Sequence, residues 1–351
     1  MIRLMIQLSI IIPAYNAEKY LNNLLQSLIE IPKDFCEIII VNDGSKDLTG
    51  EIGQSFAMEH RNVIVLNQEN KGVSSARNYG IRMAKGKYIS FCDVDDEIDI
   101  TRFFNFFDEV NYNEADYYIT GYQERNYKID KINEIQVTGE GLYKMQRFMD
   151  IFFLNLQKNL ISYPVNKMFL KSIITENSIY FDESLNFAED LHFNLEYLKY
   201  VQTVWVSNEN FYIYHKHRNE MSLSSNYSMH FWESRRLVYD KMNDILTRFN
   251  NLSDLKKLQN TYAANVLIYT TRQIVCNKKT SKKEKLVQLA SIVNDIYLSK
   301  FINDTMNLSK GQSFLIFLIK QKRVKGIYLF WHLFELKDKL TYISSKFKTS
   351  K

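Results

Sequence analysis

Four short runs of apolar residues lie in the first hundred positions of the chain. They are rich in Ile and Val and are bounded by polar or turn-forming residues: Leu8–Ile12, Ile38–Val41, Val63–Leu66 and Tyr88–Phe91. Runs of this composition are typical of strands that are buried on both faces of a parallel sheet. The pattern therefore predicts four parallel strands.

Helical spacing of apolar residues separates these strands. Apolar positions recur every three or four residues after the first and second strands: Leu21, Leu24, Leu25 and Leu28, then Leu48, Ile52 and Phe56. A third helix is predicted from Ser74 to about Ala84, with Gly86 just beyond it as a helix-ending residue. This alternation predicts an α/β fold with an open, doubly wound and mostly parallel sheet. From about residue 229 onward the pattern predicts a helical C-terminal extension.

Polar residues stand at the carboxyl ends of three predicted strands. They are Tyr15, Asn16 and Glu18 after the first, Asp43, Gly44 and Ser45 after the second, and Asp93, Asp95 and Asp96 after the fourth. Ligands of doubly wound sheets bind beyond the carboxyl ends of the strands. We therefore expect these three loops to form one site.

Composition narrows the class of protein. The chain has 351 residues, 46% of them hydrophobic and 24% charged, which is ordinary for a folded domain and unlike a disordered or collagen-like chain. Cys36, Cys92 and Cys276 are widely spaced and fit no disulfide framework or metal finger, so we expect a reducing cytosol. The apolar N-terminus, Met1–Ile12, resembles a secretion signal, but it leads directly into the first polar loop, so we expect a strand here instead. No stretch contains the roughly 18 uninterrupted apolar residues of a membrane-spanning helix.

The net charge of +5 is unevenly distributed. Residues 310–351 carry ten Lys or Arg against Glu335 and Asp338, a local charge of +8, so the rest of the chain is mildly acidic. Here the apolar runs Phe314–Ile319 and Ile327–Trp331 alternate with basic residues, as in segments that bind membrane surfaces. The pattern predicts a cytoplasmic protein, peripheral on the inner face of the cell membrane. Packing on the rest of the chain and a homo-oligomer contact are alternatives, and no nucleic-acid-binding motif accompanies the charge.

The segment Asp93-Val94-Asp95-Asp96 is the first candidate for chemistry. Its three carboxylates follow a buried strand, where like charges this close together are costly without a cation. Carboxylates together with substrate phosphates are typical ligands of Mg²⁺ and Mn²⁺. A solvated acidic turn would have the same sequence, but the position after the fourth strand favours a site for Mn²⁺ or Mg²⁺.

Five motifs, in order, resemble those of the family 2 glycosyltransferases, which have the GT-A fold and include bacterial enzymes of cell-surface polysaccharide synthesis. The residues that carry the resemblance are Ile10–Glu18, Ile39–Asp47, Asn70–Gly80, Asp93–Asp96 and Glu189-Asp190. It covers residues 8 to about 217. The resemblance implies that residues 1–100 bind a nucleotide-sugar and that residues 101–228 hold the acceptor and the catalytic residue. The pattern and charge of the chain, and not the resemblance, predict a helical, basic region over residues 229–351.

The resemblance also implies roles for individual residues. Nucleotide-sugar binding falls to Pro13, Tyr15, Glu18, Asp43, Lys71, Arg77 and Asp93, and metal binding to Asp95 and His217. A carboxylate such as Asp43 can accept hydrogen bonds from a uracil-like ring, and cations such as Lys71 and Arg77 help to hold a diphosphate. Plain structural roles are the alternative: Asp43 in a turn or helix cap, Arg77 as a solvated helix residue, and His217 as an exposed loop residue.

Glu189 and Asp190 open a predicted amphipathic helix whose buried face contains Leu191, Leu195 and Leu198. By resemblance, Asp190 is the base that takes the proton of the acceptor hydroxyl, and Glu189 orients the acceptor. Direct displacement at the anomeric carbon would then invert its configuration. Ordinary negative charge at a helix N-terminus is the structural alternative.

The sequence thus predicts a metal-dependent, inverting hexosyltransferase. Its expected partners are a nucleotide-sugar donor, with a UDP-sugar favoured, and a saccharide or lipid-linked acceptor. A sugar nucleotidyltransferase is an alternative, although such enzymes usually have a glycine-rich first loop and Pro13–Glu18 contains no glycine. A non-catalytic sugar-nucleotide-binding module is another, but it would not need Asp43, Asp93, Asp95 and Asp190 together.

Overall fold

The four apolar runs form the four predicted strands in a computed structural model of the chain. They are β1 (Leu8–Ala14), β2 (Cys36–Asp43), β3 (Val63–Gln68) and β4 (Tyr88–Phe91). The helices that alternate with them are α1 (Leu21–Leu28), α2 (Thr49–Glu59) and α3 (Val73–Met83). The structure describes residues 6–127, 130–185, 187–216, 230–248, 252–277, 279–295, 305 and 308–334. The chain divides into two compact units, residues 1–225 and residues 226–351.

Shorter strands and four more helices follow in the part of the first unit that the structure describes. The strands are β5 (Glu97–Ile98), β6 (Tyr117–Thr120), β7 (Tyr122–Asn126), β8 (Lys131–Ile135), β9 (Gly141–Lys144), β10 (Lys167–Leu170), β11 (Thr203–Ser207) and β12 (Tyr212–Lys216). The helices are α4 (Ile100–Tyr112), α5 (Met145–Gln157), α6 (Lys171–Glu176) and α7 (Glu189–Leu198).

One eight-stranded sheet forms the centre of this unit, in the order β3-β2-β1-β4-β10-β6-β11-β9. β1 pairs in parallel with both β2 and β4, which confirms the doubly wound, mostly parallel α/β fold. β10 is antiparallel to β4, with Phe169 opposite Ile89, so β10 begins at the carboxyl edge of β4. A smaller sheet, β5-β12-β7-β8, starts directly after the acidic segment Asp93–Asp96.

The first elements follow the predicted pattern with two exceptions, one in burial and one in a helix end. Every residue of β1 is buried, and so are the four leucines of α1. The prediction for Leu48 is wrong, because Leu48 precedes α2 and is 54% exposed, and α2 buries Thr49 and Phe56. Gly86 does not end a helix either. A Cβ there would lie 2.6 Å from the Ser9 amide nitrogen, so glycine is needed where the chain passes close to β1.

The second unit is helical among its described residues, as predicted for the C-terminal extension. Its helices are α8 (His230–Leu246), α9 (Leu252–Cys276), α10 (Lys282–Val293), α11 (Lys310–Lys320) and a further helix at 324–334. Ser281 and Ser309 form capping boxes at the start of α10 and α11, which satisfy backbone donors that helix ends leave open. The helices pack around a core that includes Leu267, Leu289 and Ile327.

The basic tail has a buried face and an exposed face. Trp331, predicted to enter a membrane, is 6% exposed and donates from Nε1 to Thr271 Oγ1 over 3.0 Å, so that part of the prediction is wrong. The apolar residues on the other face are between 43% and 57% exposed: Phe314, Phe317, Leu329, Leu333 and Phe334. Residues 335–351 of the tail lie outside the described residues. Within the described part of the chain, no helix is both long enough and apolar enough to cross a membrane.

Candidate active site

The loops that follow β1 and β2 are fastened to each other by hydrogen bonds between side chains and backbone. The amide of Ala17 donates to Thr49 Oγ1 over 2.7 Å, and the amide of Leu48 donates to Glu18 Oε2 over 3.1 Å. Glu18, predicted to bind the nucleotide, therefore also holds the loop after β2. Pro13 is buried at the end of β1, whereas the Tyr15 side chain is 47% exposed at this edge.

Asp43 is buried at the end of β2, and donors from the end of β3 and from the loop before α3 surround its carboxylate. Oδ1 accepts from Gln68 Nε2 and from the amide of Lys71, each over 2.8 Å. Oδ2 accepts from the amide of Gly72 over 2.8 Å. Gly72 adopts a φ of +90°, which glycine tolerates and other residues rarely do. Asp43 thus shapes this loop and leaves the Lys71 side chain exposed at the sheet edge.

A buried tyrosine of β12 shapes the acidic segment. The Tyr212 hydroxyl accepts from the amide of Asp93 over 3.2 Å and donates to Asp96 Oδ2 over 2.5 Å. The amide of His215 donates to Asp96 Oδ1 over 2.9 Å. Burial, followed by the negative charges of Asp93 and Asp95, raises the pKa of Asp96 well above the usual range for a carboxyl. Asp96 is therefore an anchor of the segment, while Asp93 and Asp95 are only partly buried.

Arg77 connects the acidic segment to α7. Its side chain is 4% exposed, and the guanidinium donates to Asp93 Oδ1 over 2.8 Å and to Asp190 Oδ1 over 2.6 Å. The centroid of the Phe181 ring lies 5.2 Å from Arg77 Cζ. One guanidinium can serve two carboxylates because its donors form a rigid, planar fork. Arg77 is therefore not a solvated helix residue, and it joins a residue predicted for the donor to the predicted base.

Asn78, the next residue of α3, fastens the segment that leads to α7. Its Nδ2 donates to the Phe181 carbonyl over 2.9 Å and to Glu183 Oε1 over 3.0 Å. The amide of Phe181 donates back to Asn78 Oδ1 over 2.8 Å. Phe181 also stacks on Phe193 of α7, with 4.1 Å between the ring centroids. The helix α3 therefore sets the position of α7 at the edge of the sheet.

Asp190 lies in the first turn of α7, and its side chain is 20% exposed. Burial raises the pKa of Asp190 to about 7. The positive charges of Arg77 and Lys167 oppose this rise, and the negative charges of Glu189 and Asp93 add to it. A carboxyl with a pKa near the operating pH is well suited to accept a proton from a hydroxyl. The leucines Leu191, Leu195 and Leu198 are buried, as the helical pattern predicts.

Two histidines lie at or just after β12, and only His217 was predicted to bind the metal. His215 is 3% exposed, with Nδ1 2.7 Å from the Tyr127 hydroxyl and Nε2 3.2 Å from Glu97 Oε1. His217 lies outside the described residues, so its metal role stays a prediction. Among the residues that the structure describes, no three His, Cys, Asp or Glu side chains form a group that could hold a metal ion. Asp95 still offers hard oxygen atoms, which together with substrate phosphates are a set that suits Mg²⁺ or Mn²⁺.

Comparison with known proteins decides the family. The profile described as Glycosyl transferase family 2 matches residues 9–177. The chain is 31% identical over 230 residues to the glycosyltransferase GlyG of Streptococcus pneumoniae serotype 4, which is 62% of this chain and 75% of GlyG. The chain belongs to glycosyl transferase family 2. It is also 30% identical over 214 residues to EpsJ of Bacillus subtilis, an uncharacterized glycosyltransferase, covering 61% of this chain and 62% of EpsJ.

A solved structure shares the fold of this family 2 chain. Residues 1–349 of TarS from Staphylococcus aureus, in complex with UDP-GlcNAc, match it with a TM-score of 0.71 at 19% identity, over 95% of this chain and 92% of the TarS chain. TarS is named as a poly(ribitol-phosphate) beta-N-acetylglucosaminyltransferase, and in sequence it is 27% identical over 241 residues, 67% of this chain and 40% of TarS. The likeness confirms the GT-A fold that the motifs implied.

Three residues of this site were not found from the sequence. Asn78 lies within the motif Asn70–Gly80, but nothing in that motif indicates its hydrogen bonds to a segment about a hundred residues away. Tyr212 belongs to an aromatic strand in which any tyrosine looks like core. Lys167 is fully buried, and its surroundings in the sequence, Val165-Asn166-Lys167-Met168-Phe169, do not indicate this burial.

Proposed function

We propose that this chain is an inverting glycosyltransferase that transfers a sugar from a UDP-sugar to a hydroxyl of a saccharide or lipid-linked acceptor in the synthesis of cell-surface polysaccharide. The observation that carries the proposal is the Arg77 bridge between Asp93 and Asp190. The bridge holds two groups at one edge of the sheet. Asp93 is predicted to bind the donor, and the Asp190 carboxyl is suited to act as a base. Membership of the family supports the proposal, as does the fold shared with TarS, which binds UDP-GlcNAc and UDP.

The donor would lie over the loops that follow β1, β2 and β4. The exposed ring of Tyr15 can stack on the base, and the exposed ammonium of Lys71 can attract the diphosphate. Arg77 holds Asp93 in place for the ribose. Asp95 would hold Mn²⁺ or Mg²⁺, which supplies positive charge to the departing diphosphate. The nucleotide side also includes Pro13, Glu18 and Asp43, and His217 is proposed as a second metal ligand.

The acceptor would lie on the side of α7. Asp190 Oδ1 accepts from Arg77, so Oδ2 is the oxygen placed to take the proton of the acceptor hydroxyl. Removal of this proton makes the hydroxyl oxygen a better nucleophile as it approaches the anomeric carbon. Because the diphosphate leaves from the opposite face, the configuration at that carbon inverts. Glu189, next to the base, is proposed to orient the acceptor.

Activity on a panel of donors tests the proposal. Release of nucleoside diphosphate is measured for UDP-, GDP- and dTDP-sugars, including UDP-N-acetylglucosamine, with Mn²⁺ and a saccharide panel. Asp190→Asn should lower turnover by about 10²–10⁴-fold and leave the Kd of the donor unchanged. The control is Asp150→Asn, since Asp150 is a carboxylate of α5 with a 57% exposed side chain. An equal loss of donor binding in Asp190→Asn would contradict its assignment as the base.

The same assays separate the two alternatives. A sugar nucleotidyltransferase would release pyrophosphate from a nucleoside triphosphate and a sugar phosphate. A non-catalytic module would bind the UDP-sugar without releasing UDP, and Asp190→Asn would then change nothing that can be measured.

We also propose that the second unit contacts an anionic membrane surface through α11 and the helix at 324–334. The exposed Phe314 and Phe317 stack with their centroids 6.4 Å apart, and the centroid of Phe330 lies 6.2 Å from that of Phe314. Exposed basic residues flank this aromatic surface: Lys310, Lys320, Lys322, Arg323 and Lys325. Apolar insertion and attraction to anionic headgroups therefore act in the same segment. Binding to a membrane would also bring the protein to the surface on which a lipid-linked acceptor lies.

Sedimentation with vesicles tests the membrane contact. The double variant Phe314→Ser/Phe317→Ser should bind phosphatidylglycerol vesicles more weakly than the wild type, while its donor affinity stays the same. Met58→Ser is the matched control, because Met58 is a 78% exposed apolar residue of α2. Unchanged vesicle binding in the double variant, together with altered self-association in analytical ultracentrifugation, would favour a homo-oligomer contact instead.

A further inference from the structure

The ammonium group of Lys167 is buried at the edge of the sheet that carries the candidate active site. Lys167 is the first residue of β10 and is fully buried. Its Nζ donates to Asn166 Oδ1 over 2.7 Å and to the carbonyl of Tyr163. Both acceptors are neutral, and a buried ammonium is tolerated poorly unless a negative charge compensates it. The position of Lys167 therefore needs an explanation beyond packing.

The topology of the sheet brings Lys167 to the candidate active site. β10 runs antiparallel to β4, so the start of β10 lies beside the end of β4, from which the acidic segment follows. The hydroxyl of Ser90 in β4 donates to the Lys167 carbonyl over 2.8 Å and fixes this alignment. A parallel strand in the same place would have put its first residue at the opposite edge.

The carbonyl of Tyr163 links Lys167 to the helix that carries the base. Besides Lys167 Nζ, this carbonyl accepts from Asn194 Nδ2 over 3.1 Å. Asn194 is fully buried in α7 and also donates to the Ile161 carbonyl over 2.8 Å. Asn194 lies four residues after Asp190, so the two share one face of the helix. The lysine, the carbonyl and the asparagine thus tie the loop before β10 to the first turns of α7.

Among the residues that are described, both anions and cations act on Asp190. Glu189 comes from α7 itself, Asp93 from the acidic segment, Arg77 from α3 and Lys167 from β10. The charge of Arg77 is divided between two carboxylates, Asp93 and Asp190. The only charge that acts on the Lys167 ammonium, within the part of the chain that is described, is that of Asp190, which opposes the lowering of the lysine pKa by burial.

We propose that Lys167 is a positioning residue for Asp190: it ties the Tyr163 carbonyl, and through it α7, to the sheet, and its positive charge keeps Asp190 in the carboxylate form that accepts the proton. The proposal rests on the proposed function, because it takes Asp190 to be the base. Lys167 itself touches neither donor nor acceptor.

The pH profile of kcat tests this role, with UDP-N-acetylglucosamine, Mn²⁺ and the best acceptor of the saccharide panel as probes. Lys167→Gln keeps a hydrogen-bond donor for the Tyr163 carbonyl and removes the charge. On the acidic side, the pH at which its kcat is half-maximal, the midpoint, should rise by about 1 pH unit relative to the wild type. At alkaline pH its kcat should be close to the wild-type value, and the KM of the donor should be unchanged. Lys167→Arg keeps the charge and should return the midpoint to the wild-type value. The control is Lys171→Gln, since the Lys171 ammonium also donates to a backbone carbonyl, that of Ala84.

Each outcome has one meaning. A midpoint that does not move in Lys167→Gln, while turnover falls equally at all pH values, would show a merely structural lysine and overturn the proposal. If Lys167→Gln does not bind UDP, Lys167→Met is measured in its place with the same expected rise. A wild type without turnover, or full activity in Asp190→Asn, would overturn the proposed function itself and this role with it.

Discussion

Replacement of Arg77 by methionine should destabilise the first unit, because it removes a buried guanidinium that serves two carboxylates. Arg77→Met keeps most of the apolar length of the side chain, but it removes the guanidinium that lies over the Phe181 ring. It leaves Asp190 and Asp93 without their shared donor. The variant therefore tests the interactions of the guanidinium while most of the side-chain volume is kept.

The expected loss in free energy of unfolding follows from the hydrogen bonds of Arg77 to Asp190 and to Asp93. A hydrogen bond to a charged group contributes about 1.5–3 kcal/mol, and this range applies to Asp190, which is 20% exposed. The Asp93 side chain is 36% exposed, so solvent reduces its share to about 1 kcal/mol. The free energy of unfolding should fall by about 2.5–4 kcal/mol, which corresponds to about 5–16 °C in Tm for a unit of this size.

The loss should depend on pH. The pKa of Asp190 is raised to about 7 in the folded protein, above about 3.9 in the unfolded chain. The folded state therefore holds the extra proton between these values, and the stability of the wild type falls as pH rises toward 7. Without Arg77 the folded pKa rises further and this fall continues above pH 7. The difference between wild type and variant should thus be largest near pH 8 and smaller near pH 5.5.

Thermal and urea unfolding at the two pH values measure this difference. Arg147→Met is the control, because Arg147 pairs with Asp150 on α5 but its side chain is 83% exposed. Its effect should stay within about 0.5 kcal/mol. A loss below 1 kcal/mol in Arg77→Met at pH 8, or an equal loss at both pH values, would refute the reasoning.

Three further predictions concern the same unit. Gly80→Ala should lower the free energy of unfolding by at least about 1–3 kcal/mol in urea titrations, because its Cβ would lie 2.4 Å from Ile11 Cγ2; a neutral result would mean that α3 and β1 can separate. Tyr212→Phe removes the hydroxyl that serves Asp96 and should cost about 1–3 kcal/mol in the same measurement, with a larger effect at pH 8 than at pH 5; equal stability would show that water replaces the hydroxyl. EDTA should abolish UDP release and Asp95→Asn should weaken Mn²⁺-dependent donor binding in calorimetry, whereas full turnover in EDTA would contradict the metal assignment.

The elements of the first half could be predicted from the sequence because their apolar patterns are local. A strand buried on both faces, such as Ile38–Val41, needs a continuous apolar run, and the structure only extends it to Cys36–Asp43. The same local rule failed at Leu48, where one apolar residue in a helical register belongs to the exposed turn before the helix. It failed again at Trp331, which the second unit uses as core.

The candidate site was predictable as a set of loops, but its internal bonds were not. The carboxyl ends of parallel strands must meet at one edge, so the convergence of the loops follows from the fold class. No periodicity indicates that Arg77 serves Asp93 and Asp190 together, or that Tyr212 shapes the acidic segment, because these contacts join residues far apart in the chain. The charge and solvent environment of a side chain depend on such contacts, and so does its chemistry.

The long reach of the Arg77 bridge has a consequence for synthesis on the ribosome. Arg77 and Asp190 are 113 residues apart, and Asn78 meets the carbonyl of Phe181 at a distance of 103 residues. At about 5–20 residues per second, Asp190 is made about 6–23 s after Arg77. During that interval the early strands can already pair, while the arginine that belongs between two carboxylates has at most one of them. A nascent chain that stops before α7 should therefore hold its first strands in a less stable form, and limited proteolysis of stalled chains of increasing length should show protection of α3 only once α7 has emerged.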